Sequence, residues 1–515
     1  MEFPSFIGGF NVSQSYNADE ERTINLYPEE SQFKGATSRA ALYPTPGVTQ
    51  VSAAATGPGR AHLFMGGREF AVFNTDFSEI SEFGAITVRG TLVSGNNPAT
   101  LSSNGDGGGE ILVTSGNRAW IFDLTTNAFT EIAALFGKAT MGAQLDGYFI
   151  VLDAAASKYY ISDLLDGLTW QTGLKFAQRS QKPDPWKAMN VNGRYIWLEG
   201  EQTGEVWFDS GSFPFPFAPH PSGLIEFGIT APFSLASAEG ALCWLGQSSA
   251  GDRYVFKASG FNAEKISTAA LENTFRSYNT VNDAQADIYS DRGHLFYLLH
   301  FPTENATWAY DLNTGIWCER GTWVPAQNKY VAWRPRWHVM AFGEHRMLDA
   351  STGSLYRMSS DIGTDVDGAG IRRLRRAPIL STGQDAGAQA ELIGNQRLFF
   401  QSYELLMETG LGNAVAPGDD PQVVMRQSDD GGRTFGTERM RSAGKIGEYK
   451  RRVRWSRVGA ARQRVIEITF SDVTPFRLTA LLVNLGQPVR AVSRVQVIAA
   501  AFFGLVLGAL VTWRW

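Results

Sequence analysis

The sequence predicts an all-β protein built around an irregular β-propeller of six or seven blades, and three observations carry that prediction. Short runs of β-branched and aromatic residues recur along the chain, separated by clusters of Gly, Asn, Asp, Ser and Thr. Helical periodicity is almost absent before the last few dozen residues. Similar turns return at intervals of roughly 40–50 residues, which is the spacing expected for blades of about four strands.

The turns share one pattern, in which an aromatic residue or Leu precedes Asp or Asn and a polar stretch. Asp and Asn side chains cap such turns, and Gly or Asn supplies a positive φ, so each motif predicts a hairpin. The motifs lie at Asn74, Asp123, Asp163, Asp209, Asp311 and Asp349. The longest interval has room for one more unit near Asp252. A stack of β-sandwich domains is the competing architecture, and it predicts no such period.

Changes in this pattern predict the domain boundaries. An N-terminal arm is expected over residues 1–40 and the propeller over residues 41–385. Longer strands then predict an accessory β-sheet or closing blade over residues 386–485. Residues 486–515 form an apolar tail expected to be helical, because Val495–Trp513 is uncharged and long enough to span a bilayer core. Membrane contact by this segment and packing inside an oligomer are both open alternatives.

Composition excludes global disorder, because 43% of the 515 residues are hydrophobic and 19% are charged. The two cysteines make no disulfide framework, and the first residues lack the pattern of a signal peptide, so a reducing compartment is expected.

The net charge of −5 is the sum of two parts of the chain that have opposite charge. Residues 371–515 have 21 Lys and Arg against 12 Asp and Glu, whereas residues 1–370 have 25 against 39. Such a split indicates different partners for the two parts.

The sharpest local motif is an Asp-box of the pattern S-x-D-x-G-x-T-F. Its members are Ser428, Asp430, Gly432, Thr434 and Phe435. These residue types predict a tight hairpin, in which Asp caps turn amides, Gly takes a positive φ and the aromatic ring packs beneath. Sialidases contain the same box, which raises a glycosidase as an alternative, although the box is structural in those enzymes.

A catalytic carboxylate pair would be needed for that alternative. Glu199 and Glu201 would lie about 7 Å apart on one strand face, a separation typical of inverting glycosidases, and Glu205 is a third candidate. Residues 199–204 are more simply interpreted as a polar hairpin. The six histidines have no metal-ligand spacing, and the sequence contains no nucleotide-binding or nucleophile motif. No catalytic, metal or cofactor site is therefore predicted.

A basic ridge is predicted in the C-terminal part of the chain. In a strand through this region, Lys450, Arg452 and Arg454 share one face, while Val453 and Trp455 share the opposite, buried face. The ridge has three alternative roles: it contacts an acidic neighbour, it contacts DNA phosphate, or it is solvated.

Many short motifs follow one another in a recognisable order. They are Ser5–Gly9, Asn17–Glu29, Thr45–Gly47, Ser162–Gly167, Pro183–Asp184, Gly200–Trp207, Ser210–Phe215, Trp244–Gly246, Ile266–Thr268, Tyr310–Asp311, Ser428–Thr434 and Gly444–Tyr449. In this order the chain resembles the packaged-DNA-stabilisation proteins of short-tailed bacteriophages, also called tail accessory or nozzle proteins. The resemblance spans approximately residues 5–470 and leaves out the apolar tail.

The resemblance implies a virion structural protein of the phage tail, assembled in the host cytoplasm, and not an enzyme. It implies a homohexameric ring below the portal and head-to-tail adaptor, which retains packaged double-stranded DNA and supports needle and tailspike proteins. The alternatives are a sialidase-like propeller glycosidase and a membrane-anchored binding propeller. In a ring, the charge split predicts an acidic bore that repels phosphate and a basic ridge that contacts an acidic neighbour.

Overall fold

The computed structural model describes most of the chain, and nearly all of its regular structure is β-strand. The described residues are 2–3, 5–15, 19–31, 40–95, 97–248, 251–381 and 397–486. Within these ranges no helix has the length and apolar character needed to cross a membrane. The predicted apolar segment, residues 495–513, lies outside the described residues.

Five strands precede the first blade. They are β1 (Asn11–Val12), β2 (Glu20–Ile24), β3 (Leu26–Glu30), β4 (Ala40–Pro44) and β5 (Gly47–Ala55).

Four blades of four or five antiparallel strands follow in chain order. Blade 1 comprises β6 (Gly59–Met65), β7 (Arg68–Phe73), β8 (Asp76–Ile80) and β9 (Ile86–Thr91). Blade 2 comprises β10 (Thr100–Ser103), β11 (Glu110–Ser115), β12 (Arg118–Asp123) and β13 (Phe129–Glu131), followed by a 3-10 turn at Ala133–Leu135. Blade 3 comprises β14 (Met141–Leu145), β15 (Tyr148–Asp153), β16 (Lys158–Asp163), β17 (Asp166–Trp170) and β18 (Phe176–Gln178). Blade 4 comprises β19 (Trp186–Asn192), β20 (Tyr195–Gly200), β21 (Gly204–Asp209) and β22 (Phe217–Ile225).

Three more blades complete the series, with 3-10 turns at Pro232–Ser234 and Pro325–Gln327. Blade 5 comprises β23 (Ala236–Ala238), β24 (Ala241–Gln247), β25 (Arg253–Ser259) and β26 (Asn262–Lys265), and helix α1 (Ala269–Ser277) follows it. Blade 6 comprises β27 (Gln285–Asp291), β28 (His294–Phe301), β29 (Ala306–Asp311) and β30 (Ile316–Val324), with β31 (Lys329–Ala332) paired to its last strand. Blade 7 comprises β32 (Pro335–Ala341), β33 (Glu344–Asp349) and β34 (Gly353–Ser359), to which β5 pairs.

The seven blades close into a ring. Their first strands contact one another in chain order, and β32 of blade 7 returns to β6 of blade 1. The N-terminal strand β5 pairs antiparallel with β34, so blade 7 is built from both ends of the propeller sequence. Pairing the two ends in one sheet holds the ring shut, and strands grouped in this way leave only short edges.

A β-sandwich completes the fold. Its later strands are β35 (Arg373–Arg376), β36 (Leu380–Ser381), β37 (Leu398–Met407), β38 (Gln422–Ser428), β39 (Arg439–Ser442), β40 (Val453–Ala461), β41 (Gln463–Phe470) and β42 (Leu478–Leu485). One sheet has the order β2-β35-β41-β38-β39 and the other β3-β4-β42-β37-β40. Residues from both sheets, including Leu26, Tyr403, Trp455 and Ile468, share one buried core. Residues 1–40, predicted as an arm, supply β2 and β3 to this sandwich.

The sandwich and propeller are joined by a continuous sheet. Strand β2 pairs with β30, the outer strand of blade 6, at Ile24 and Glu319, and with β35 of the sandwich on its other side. The carbonyl of Glu319 also accepts a hydrogen bond from the Asn25 amide at 3.0 Å. Strand β2 therefore lies between the two domains and holds them together.

The prediction of an all-β propeller with an added small β-sheet region is confirmed, and the blade count is seven. The hairpin motifs predicted from the sequence each fall in a different blade. They connect the second and third strands in blades 1 and 7, but the third and fourth strands in blades 2, 3, 4 and 6. Because the motif changes its place within the blade, its spacing along the sequence is uneven, and the sequence alone left six and seven blades both possible.

Candidate functional site

The Asp-box forms the turn between β38 and β39. The Ser428 hydroxyl donates to Asp430 at 2.6 Å and accepts from the Gly432 amide at 2.9 Å. Asp430 in turn accepts from the Thr434 amide at 3.0 Å and from its hydroxyl at 2.6 Å. These hydrogen bonds to the ionised form hold the pKa of Asp430 well below its usual range. Gly431 and Gly432 have φ values of 78° and 91°, which a side chain would strain.

The aromatic member of the box faces the junction between the sandwich and the propeller. The Phe435 ring lies 4.7 Å from the Arg376 guanidinium and 5.1 Å from that of Arg426. Both arginines belong to the sandwich sheet that continues into blade 6. The box is thus a hairpin packed against an arginine-rich junction, and it lies outside the propeller channel.

The predicted basic ridge lies at the start of β40: Arg454 belongs to the strand, whereas Lys450 and Arg452 precede it. Val453 and Trp455 are buried in the sandwich core, whereas Lys450, Arg452 and Arg454 are exposed. The Arg452 Nε donates to Glu404 Oε1 at 2.6 Å, and Arg454 donates to the Ser402 hydroxyl at 3.0 Å. Glu404 thus compensates one charge of the ridge, and the ridge remains on the outer face of the sandwich.

The arginine run of β35 is internal, which the sequence did not reveal. Arg375 is completely buried, and its guanidinium holds the N-terminal arm. It donates to the carbonyl oxygens of Ser5, Phe6, Gly8 and Gly9, the Thr23 hydroxyl and the Glu21 carboxylate.

Some of the opposite charges of the acidic and basic parts of the sequence neutralise each other in ion pairs within one molecule. Arg376 pairs with Glu20 at 2.8 Å and with Glu467 at 2.9 Å. Arg375 pairs with Glu21. In both cases a carboxylate from the acidic part of the chain meets an arginine from the basic part, so some of that complementarity acts within one molecule.

The propeller channel is surrounded by the seven inner strands. It encloses about 450 Å³, and its polar lining is mostly neutral, with Gln144, Asn190 and Gln285 among its residues. His62 and Asp287 are the titratable side chains among the described residues of the lining. No arginine, tyrosine or glutamate of the described chain lines it, so the channel lacks the residues that a sialidase-like centre requires.

The three glutamates weighed as catalytic candidates have separate environments in blade 4. Glu199 is fully buried, both its carboxylate oxygens have no hydrogen-bond partner among the described residues, and burial raises its pKa to about 8. Glu201 is exposed and pairs with Lys187 at 2.8 Å. Glu205 caps the amides of Ser180 and Gln181. They do not face one cavity as a catalytic pair.

The described residues contain no group of three or more His, Cys, Asp and Glu side chains able to hold a metal ion. Cys243 and Cys318 are both buried and unbonded, in blades 5 and 6.

Solved structures that match the chain include three with low sequence identity and TM-scores below 0.5. A catalytically inactive virginiamycin B lyase from Staphylococcus aureus, solved with quinupristin, is 13% identical; the match covers 61% of this chain and 98% of that one, with a TM-score of 0.37. The N-terminal domain of Nup159 is 10% identical, with coverage of 66% and 98% and a TM-score of 0.37. Hsv2 from Kluyveromyces lactis is 8% identical, with coverage of 52% and 97% and a TM-score of 0.30. No curated protein matches the chain.

Family models give a specific assignment. The model described as bacteriophage P22 Gp10, beta-propeller, matches residues 1–363. The model described as bacteriophage P22 Gp10, beta-sandwich, matches residues 389–486. The two matches cover nearly the whole chain in the order in which the structure shows a propeller and a sandwich. The chain therefore belongs to the bacteriophage P22 Gp10 family of packaged-DNA-stabilisation proteins and is a phage structural protein of that type.

Proposed function

We propose that this chain forms the ring that closes the phage tail channel below the portal and adaptor, retains packaged DNA and supports the needle and tailspike proteins. Its membership of the P22 Gp10 family is the observation that carries the proposal. The ring is proposed to be a homohexamer, assembled in the host cytoplasm and located in the virion tail.

Two features of the structure support a mechanical role. The propeller is closed by pairing β5 with β34, and the sandwich continues the sheet of blade 6, so each subunit is one connected β-structure. The basic ridge at Lys450, Arg452 and Arg454 stands on the outer face of the sandwich, where another chain can reach it. Such a subunit functions by binding other chains on its surface. We propose that the basic ridge contacts an acidic surface of a neighbouring chain.

The acidic part of the chain is proposed to face the bore of the ring. Residues 1–370 carry fourteen more acidic than basic residues, and an acidic wall repels DNA phosphate, so that DNA slides through it. Mapping the charges onto an experimental six-fold particle tests this assignment. A bore lined by Lys and Arg would contradict it.

Reversing two ridge charges, with Arg452→Glu and Arg454→Glu, is expected to abolish ring assembly, because like charges would then face the acidic neighbour. Assembly is measured by mass photometry of the purified protein and by electron microscopy of portal–adaptor particles to which it is added. The parent protein should form particles of six times the 56.5-kDa chain, and virions made with the variant should leak DNA.

Two controls separate assembly from folding. Arg194→Glu with Arg357→Glu reverses two exposed charges on blades 4 and 7 and should leave assembly intact. Glu404→Gln removes the partner of Arg452 without reversing the ridge, and it should also assemble. Normal rings from the ridge variant would refute the role of the ridge, and a parent protein that forms no six-fold particle with or without adaptor would refute the ring.

A further inference from the structure

A cavity of about 680 Å³ lies at the junction of the propeller and the sandwich, away from the basic ridge. Blade 6, the sandwich strands β35, β38 and β41, the N-terminal arm and the Asp-box turn all contribute to its wall. Its volume falls within the range of about 300–1,000 Å³ that is usual for small-molecule sites. The cavity therefore has the size of a binding site, and its walls come from both the propeller and the sandwich.

The charge of this cavity is strongly unbalanced. Seven of the side chains that line it are cationic and three are carboxylates, an excess of four positive charges in a chain whose net charge is −5. All three carboxylates are already engaged. Glu319 holds Arg22 at 2.6 Å, Glu20 holds Arg376, and Glu467 is shared by Arg376 and Arg426.

Arg372 and Lys329 are the cationic side chains that best indicate a missing anion. Neither has a carboxylate within ion-pair distance among the described residues. The Arg372 guanidinium lies 4.0 Å from the centre of the Trp323 ring, in a cation–π contact that positions it at the junction. Its Nε is buried and has no hydrogen-bond partner among the described residues. Arg372 and Lys329 thus bring two positive charges to the cavity wall that have no carboxylate partner among the described residues, and guanidinium and ammonium groups both bind oxyanions.

We propose that the junction cavity binds a small phosphate-bearing ligand, with its phosphate group held by Arg372 and Lys329. A single carboxylate would offset one of the four excess charges, whereas a phosphate group carries close to two negative charges and a pyrophosphate more. Binding would connect blade 6 to the sandwich, since Lys329 belongs to the first and Arg372 adjoins β35 of the second. This site is separate from ring assembly and does not depend on it.

The test uses the full chain and pyrophosphate, followed by ³¹P NMR and by thermal unfolding at constant ionic strength. The parent protein should bind one pyrophosphate per chain with a saturable rise in Tm. Lys329→Gln with Arg372→Gln should weaken binding at least tenfold. Arg194→Gln, which removes a 78% exposed side chain on blade 4, should leave the affinity unchanged.

Lys329→Gln alone provides a second variant, because Lys329 is exposed and its loss should not affect folding. It should weaken pyrophosphate binding about threefold or more. A nucleoside diphosphate that binds more tightly than pyrophosphate would identify a nucleotide as the source of the phosphate, and equal affinity would identify the inorganic ion. Absence of saturable binding, variants within twofold of the parent, or binding of a DNA duplex but not of pyrophosphate would each overturn the proposal.

Discussion

Replacing Arg375 with Ala is expected to destabilise the protein by about 3–5 kcal/mol and to release the N-terminal arm. The side chain has no exposed surface, and all three of its nitrogens donate hydrogen bonds. Its removal leaves the partly buried Glu21 carboxylate and several carbonyl oxygens of the arm without this donor. Burial already raises the pKa of Glu21 and the Arg375 charge opposes that rise, so losing Arg375 leaves the carboxylate strongly destabilised.

Urea unfolding and limited proteolysis measure the two consequences separately. Cleavage within the first 15 residues should become much faster in Arg375→Ala, and the unfolding midpoint should fall. Arg375→Lys should lose most of the same stability, because one ammonium cannot reach acceptors arranged around a planar fork. Arg357→Ala, which removes a half-exposed arginine on blade 7, is the matched control and should stay within about 0.5 kcal/mol of the parent. A loss below about 1 kcal/mol for Arg375→Ala would contradict the anchoring role.

Gly8 shows why the arm has its sequence. A Cβ at this position would lie 2.2 Å from the Glu21 carboxylate and 3.2 Å from the Arg375 guanidinium. The backbone of the arm therefore approaches the ion pair as closely as a residue without a side chain allows. The motif Ser5–Gly9 was visible in the sequence, but its structural meaning depends on an arginine more than 360 positions away.

The difference between the two basic segments explains what the sequence could predict. The exposure of Arg452 and Arg454 could be predicted from their neighbours, because alternation with Val453 and Trp455 fixes which side of the chain is buried. The burial of Arg375 and Arg376 depends on which carboxylates the fold brings near, and those are Glu20 and Glu21 of β2 and Glu467 of β41. Periodicity and turn chemistry therefore predicted the propeller, whereas nothing in the local sequence could identify the partners of the β35 arginines or the cavity that Arg376 borders.

Glu199 is another residue whose environment the local sequence did not reveal. The sequence predicted a polar hairpin over residues 199–204, whereas the fold buries the Glu199 carboxyl. It lies near the end of β20 with no exposed surface, and Gly204 of the next strand packs directly against it, since a Cβ there would lie 2.3 Å from its carboxylate. Asp184 is the charged neighbour, and its carboxylate accepts from the amides of residues 201–203. Burial and this like charge both favour the protonated form of Glu199.

We therefore expect Glu199→Gln to be more stable than the parent, by a margin that grows with pH. The folded-state pKa of Glu199 is about 8, above the ordinary value of 4.5, so folding retains a proton that the unfolded chain releases. The stability associated with that proton is fully present below pH 4.5 and is lost as the pH rises to about 8. The loss is about 1.4 kcal/mol per pH unit across this window, and Gln has no proton to lose.

Urea unfolding of both proteins between pH 5 and pH 9 measures this margin directly. The difference in unfolding free energy should increase up to about pH 8 and then become constant, because above the folded-state pKa both states of the parent are ionised. Glu201→Gln is the matched control two residues away: its carboxylate is exposed and paired with Lys187, so its effect should be small and independent of pH. A pH-independent difference between Glu199→Gln and the parent would mean that the Glu199 carboxyl finds a partner in solution. That result would contradict the assignment of Glu199 as a buried carboxyl without a hydrogen-bond partner.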